Sequence, residues 1–303
     1  MPQRLSYGIP AILAAALVLT GCGQRTASPS PSRHDPVLTL HISVPGTLAA
    51  TPVKVAETLG FFRHEHLDVK EVARHAQLMI QLAGSQWPVD GYLGVRPDMV
   101  LVSPIPDPHF RLRALNNLPM VLTPVVAPSQ PLAVKILMAH HAAISRWSTM
   151  PFTDVESLWK RHHLPWALVS LQQAADLQSL NSATAILAWL GASTGPIPHV
   201  VVAGEAPKAQ LTHFLRALNL ALWYLNTTPA ADVSQTLSLS AKPDTSLTRE
   251  LAAARHYQYW PATTFPDSQS FERARRDWYP TWPSYSQGVN PVPGRQALAG
   301  KGA

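Results

Sequence analysis

Residues 37–72, VLTLHISVPGTLAATPVKVAETLGFFRHEHLDVKEV, constrain the fold more than any other part of the chain. Residues 37–44 carry the apolar alternation of a strand. Thr51 then stands where a side chain can cap a helix, and Pro52 fits the first helical position, which needs no N–H partner. Val53, Ala56 and Leu59 fall on one stripe of a short helix, and Gly60 follows where helices commonly turn left-handed. Phe61 and Phe62 are apolar anchors just past that stop. Leu67 and Val69 alternate with Asp68 and Lys70, as in a half-buried strand. Strand, helix and strand in this order form a βαβ unit, the seed of an α/β domain.

The helix end Leu59-Gly60-Phe61-Phe62 and the strand Leu67-Asp68-Val69 carry a family resemblance. The passage AETLGFFRHEHLDVKEV resembles the first helix-to-strand step of the substrate-binding proteins for alkanesulfonates, nitrate, taurine and thiamine precursors. The resemblance implies an α/β, two-lobed periplasmic-binding-protein-like fold, each lobe a mostly parallel sheet flanked by helices. It also implies a small solute held in the cleft and an ABC importer permease as partner. The same motif suits an ordinary βαβ turn, so the start of the chain carries weight.

Arg4 provides a small positive region, and residues 9–19, IPAILAAALVL, form an apolar run too short to span a bilayer. It closes on Leu19-Thr20-Gly21-Cys22. Residues 1–21 read as a signal peptide. The closing tetrapeptide is similar to the bacterial lipobox, which implies a lipidated Cys22 at the head of the mature chain and membrane attachment through acyl chains such as palmitate. Cys22 is the single cysteine, so no disulfide is expected. Residues 22–36 are rich in Ser and Pro and read as a flexible tether. The expected location is extracytoplasmic, lipid-anchored to the cell membrane.

The formal charge of +6 would suit nucleic acid. Export and the dispersal of basic residues argue against that partner. Only 14% of residues are charged, and carboxylates are scarce. Such a surface suits acidic surroundings, where carboxylate titration would otherwise cost stability; a basic cleft for an anion explains it equally well.

Lobe one is placed at residues 37–127. It comprises the βαβ unit, a helix at 75–83, a loop at 84–94, a buried strand at 98–103, a helix at 111–117 and a strand at 119–127. Pro128-Ser129-Gln130-Pro131 is turn chemistry and marks the first crossing between lobes, followed by a strand at 132–138. Lobe two is placed at 128–265. Thr153 and Glu156 have capping-box spacing, residues 166–171 read as a strand, and a helix is expected to run to Leu190. Residues 198–203 are a strand, and Leu211, Phe214, Leu215, Leu218, Leu222 and Leu225 share one helix face. That helix resembles a C-terminal helix of the family, but a further strand segment of the family is missing before it, so lobe two reads as shortened. Residues 266–303 are assigned to a C-terminal helix and a loose tail.

The sequence has no G-x-S-x-G elbow and no H-E-x-x-H pair, and the chain is expected not to be an enzyme. No cofactor is expected. His64, His66 and His75 either bind zinc or are exposed histidines, and no metal site is expected. Trp87, Trp223 and Trp260 either stack on a ring-bearing ligand or belong to the core. Solutes in open α/β sheets sit beyond strand carboxyl ends, against helix N-termini that favour anions. This rule selects Thr47, Thr51, Ser103, Ser170 and Gln172 as ligand candidates. The expected function is capture of a small anionic or aromatic solute for an ABC importer. The alternative is a degenerate binding-protein homologue serving as an accessory or sensor subunit.

Overall fold

The computed structural model describes residues 35–44, 48–85, 87–239 and 243–299. The signal peptide, the lipobox with Cys22 and most of the tether lie outside the described residues, as does Thr47. The first half runs β1 (Val37–Ile42), α1 (Thr51–Thr58), α2 (Phe61–His64), β2 (Asp68–Glu71), β3 (Leu78–Leu82), β4 (Gly91–Gly94), β5 (Val100–Ser103), β6 (Pro119–Leu122) and α3 (Gln130–Ala139). There follow β7 (Arg146–Thr149), α4 (Phe152–Lys160), β8 (Ala167–Val169), α5 (Leu171–Leu180), β9 (Ala185–Ala188) and β10 (Val200–Gly204). The chain closes with α6 (Lys208–Thr227), α7 (Ala230–Ser238), α8 (Thr245–His256), α9 (Ser268–Asp277), α10 (Tyr285–Gly288) and α11 (Pro291–Ala299).

The strands make two five-stranded sheets, ordered β2-β1-β3-β10-β4 and β7-β6-β8-β5-β9. Each repeats one plan. Four consecutive strands are split by a fifth that enters antiparallel from the other half of the chain, β10 in the first sheet and β5 in the second. The expected two-sheet α/β architecture is therefore present. The expected division at residue 127 does not follow the sheets: β5 and β6 belong to the second, and β10 returns to the first.

Inner strands of both sheets, β3, β5, β8 and β10, are buried on both faces, which explains their near-continuous apolar sequences. Val100, Val102, Ala167, Val169, Val200 and Val202 face one core, while Leu101, Leu168, Val201 and Ala203 face the other. The period-two alternation sends neighbouring residues to opposite sides. Each core thus spans both sheets.

The βαβ opening holds, with β1 parallel to β2. Gly60 is left-handed at φ 73°. Thr51 is the first helical residue rather than the cap, and Leu59 is exposed while Val55 is fully buried. Several other local readings are corrected. Residues 78–82 form the strand β3 instead of a helix, because they lie between β1 and β10 and are paired on both sides. The expected loop at 84–94 contains β4. Residues 111–117 form only a short 3-10 turn, Leu112–Leu115. Residues 130–139 form a helix instead of a strand, with Leu132, Ala133, Ile136 and Leu137 buried on one stripe. The long helix expected to reach Leu190 stops at Leu180, and residues 185–188 continue as β9. Asn181 breaks it: its backbone is extended, and its side chain accepts from the Ala183 N–H and donates to the Pro104 carbonyl. The described part of the tail, to residue 299, is not loose; it forms α10 and α11, and α11 packs on α6. The helix at 211–225 appears as α6 with its whole predicted face buried.

Candidate functional site

The sheets are joined by two short crossings, Gly94 to Val100 and Ala188 to Val200, and not at Pro128–Pro131 as expected. The crossings pair with each other. Ile197 N donates to Val95 O and His199 N to Gly94 O, both at 2.9 Å, and Gly191 N donates to Met99 O at 3.4 Å. Arg96 reaches across to the Ala192 carbonyl at 3.0 Å. The sequence element His256-Tyr257-Gln258-Tyr259-Trp260 closes over this joint. Tyr257 donates its hydroxyl to Pro97 O at 3.0 Å, and Val95 N donates to Tyr259 O at 2.9 Å.

The polar candidates do not converge. Because β5 runs antiparallel to β8, Ser103 lies at the opposite sheet edge from Ser170. Ser103 accepts from Ile105 N at 3.2 Å, beside the end of α5 where Asn181 meets Pro104. Ser170 is buried as the N-cap of α5 in a full capping box with Gln173, which in turn accepts from the Thr123 hydroxyl at 2.6 Å. Gln172 is half-buried on the first turn of α5, and Thr51 is buried at the start of α1. The helix terminus expected to receive an anion already holds one of the chain's own carboxyls. Asp98 accepts from Leu171 N at 2.7 Å, and burial pushes this carboxyl up to about 7. Ser170→Ala removes the cap and is expected to cost about 1 kcal/mol in urea unfolding. A cost near zero would show that Asp98 alone satisfies this helix end.

The structure does bring together two of the three tryptophans. Trp223 and Trp260 line one open pocket of ≈ 560 Å³ with Val95, Pro196, Arg255 and Gln258, among others. That volume suits a small-molecule site. Trp223 projects from α6 and is 59% exposed, leaving a ring face available. Trp260 is nearly buried; its indole N–H donates to Leu48 O at 3.3 Å, so its ring is fixed from behind. Val95 and Pro196 come from the two crossings, so this pocket touches the joint itself. Arg255 is held by the carbonyls of Leu225 and Thr228 at the end of α6. Asp267 caps α9 through Ser270 N at 2.7 Å at the pocket rim. Trp87 lies elsewhere, edge-on to Phe271 and Trp282 in the second core. Sequence reasoning named the tryptophans but missed Val95 and Pro196, because only the fold shows that their segments meet.

Among the described residues no group of three or more His, Cys, Asp or Glu side chains is placed to hold a metal. His64 and His66 are strongly exposed, at 77% and 83%. No helix among the described residues is long and apolar enough to cross a membrane.

No protein-family model matches the chain, and no curated protein matches it. Solved structures do. The ligand-binding component of an ABC-type import system from Staphylococcus aureus, with zinc bound, is 12% identical with a TM-score of 0.61, over 86% of this chain and 98% of that one. The periplasmic aliphatic sulphonate binding protein SsuA from Escherichia coli is 11% identical with a TM-score of 0.58, over 80% and 84%. At such identities the likeness establishes the fold, and the chain has the periplasmic-binding-protein fold that its sequence motif implied. The desulfurization enzyme DSZB matches as well, at 9% identity and a TM-score of 0.56, over 88% of this chain and 99% of that one. This corrects the expectation that the chain is not an enzyme, because the same scaffold carries catalysis in DSZB.

Proposed function

We propose that this chain is a solute-binding protein that presents a small ring-bearing molecule to an ABC importer, acting outside the cytoplasm from a lipid anchor on Cys22. The observation that carries the solute class is the pocket walled by Trp223 and Trp260. The exposed Trp223 indole face can bind a planar ring by stacking, worth about 0.5–1.5 kcal/mol beyond area burial, while the nearly buried Trp260 backs the pocket. An anion at the start of α5 is disfavoured, since Asp98 occupies that terminus. Binding reaches the permease through the joint: a solute touching Val95 and Pro196 contacts both crossings, so it favours one mutual arrangement of the sheets.

The test is thermal unfolding of the full chain against sulfonates, nitrate, amino acids, pyrimidines and other small aromatics. An aromatic ligand at about 100 times its Kd is expected to raise Tm by roughly 5–10 °C. Trp223→Ala, at an exposed position, is expected to leave the unliganded Tm within about 2 °C and abolish that rise. A rise that survives this change would move the site elsewhere. The burial of Thr51 and Ser170 favours a second reading, an accessory or sensor subunit without a solute. Absence of any stabilising compound would select it.

A further inference from the structure

We infer that the free edge of β9 is a docking strand for an extended, acidic segment of a partner protein. β9 ends the second sheet and pairs only with β5 among the described residues. An unpaired edge offers a row of backbone donors and acceptors, and natural proteins normally blunt such edges. The other edges here are blunted. β2 is Asp-Val-Lys-Glu with an ion pair between Lys70 and Asp68. β4 is covered, since Tyr92 N donates to Thr264 O. β7 opens on Arg146 and carries Ser148 and Thr149. Of the edges left uncovered, β9 is the uncharged, apolar run Ala-Ile-Leu-Ala, half-buried along its length.

Two open pockets follow this strand, of ≈ 530 and ≈ 490 Å³. Ala185 and Ile186 line the first, Ala188 lines the second, and Leu187, Phe110 and Arg111 line both, so they form one groove. Pro106, Pro108 and Phe110 give the first pocket apolar contacts, beside Asp107 and Arg111. Arg111 and Arg113 make the second cationic. Ile105, 63% exposed, extends the apolar end. An added strand would place alternate side chains about 7 Å apart on one face. The groove therefore fits an apolar residue followed or preceded, two positions away, by a carboxylate. A second copy of this chain is a poor occupant, because it carries a net charge of +6 and would bring the same arginines to the groove.

The test uses two peptides with the full chain, acetyl-Thr-Val-Thr-Glu-Thr-amide and its reverse order acetyl-Thr-Glu-Thr-Val-Thr-amide. One of them is expected to bind below about 1 mM and to weaken at least about tenfold when its Glu is replaced by Lys. The same loss is expected in the double variant Arg111→Glu, Arg113→Glu, whose positions are exposed and leave the fold intact. Amide exchange at residues 185–188 should slow on binding. Failure of both peptides, indifference to the Glu-to-Lys change, or unchanged exchange along β9 would overturn the assignment. So would a concentration-dependent dimer broken by Leu187→Lys, which would give the edge to a second copy.

Discussion

Gly191→Ala is expected to destabilise the chain by about 3–5 kcal/mol and to lower Tm by roughly 10 °C or more. A Cβ at this position would stand 2.2 Å from the Pro97 carbonyl oxygen and 2.3 Å from the Tyr257 hydroxyl. Neither neighbour can simply swing aside. The carbonyl belongs to the backbone of the first crossing, and the hydroxyl is bonded to that same carbonyl at 3.0 Å. The methyl group must force the crossings apart, straining the Gly191–Met99 hydrogen bond and leaving buried polar groups unpaired. Urea unfolding measures the loss. Tyr257→Phe, which removes one of the two clashing atoms, should recover part of it in the double variant. A variant melting within a degree of the parent would show that the joint is looser than its geometry implies.

The second large effect is a pH dependence. Burial pushes Asp98 up to about 7 and Asp90 up to about 6, the latter despite a hydrogen bond from Asn290. The folded chain therefore keeps protons that the unfolded chain releases above the ordinary carboxylate value of 3.8. These two groups favour the fold at low pH, and their contribution is lost as pH rises through 6 and 7. His199 acts in the opposite sense: burial lowers it to about 4, so its contribution is lost as pH falls from 6.5. Two carboxyls outweigh one imidazole, and stability is expected to fall from pH 5 to pH 8, one pKa unit being worth about 1.4 kcal/mol. Asp98→Asn keeps an oxygen for Leu171 N but cannot ionise. At pH 8 it should unfold at higher urea than the parent, by the equivalent of a few kcal/mol. At pH 5 the advantage should shrink to less than half, and it should vanish only below the ordinary carboxylate value of 3.8. Parallel pH profiles for the two proteins would rule out Asp98 as the source. The direction agrees with the acid-poor composition, which also suits acidic surroundings.

Local chemistry was legible in the sequence; long-range pairing was not. The unit from β1 to β2 could be read because Pro52, Gly60 and the alternating Leu67 and Val69 each act within a few residues. The face of α6 could be read for the same reason. Residues 78–82 and 185–188 read as helix from sequence because short apolar runs have no distinguishing period; both are strands because a partner strand waits for them. Residues 132–138 failed in the other direction. The crossings carry no linker composition, and their identity rests on hydrogen bonds between residues about a hundred positions apart. The grouping of Ser103 with Ser170 failed because strand direction within a sheet is a tertiary fact. Trp223 and Trp260 were named without any local sign that they would meet.

The position of β10 has a consequence for how the chain acquires its shape. It fills the gap between β3 and β4, yet it is made only after the whole second sheet has been specified. Until residues 200–204 emerge, the first sheet lacks the strand between β3 and β4, and β4 has no neighbour to hold it. Such sequence-distant closure slows folding. A polypeptide with this wiring cannot complete its first sheet until about two thirds of it has been made.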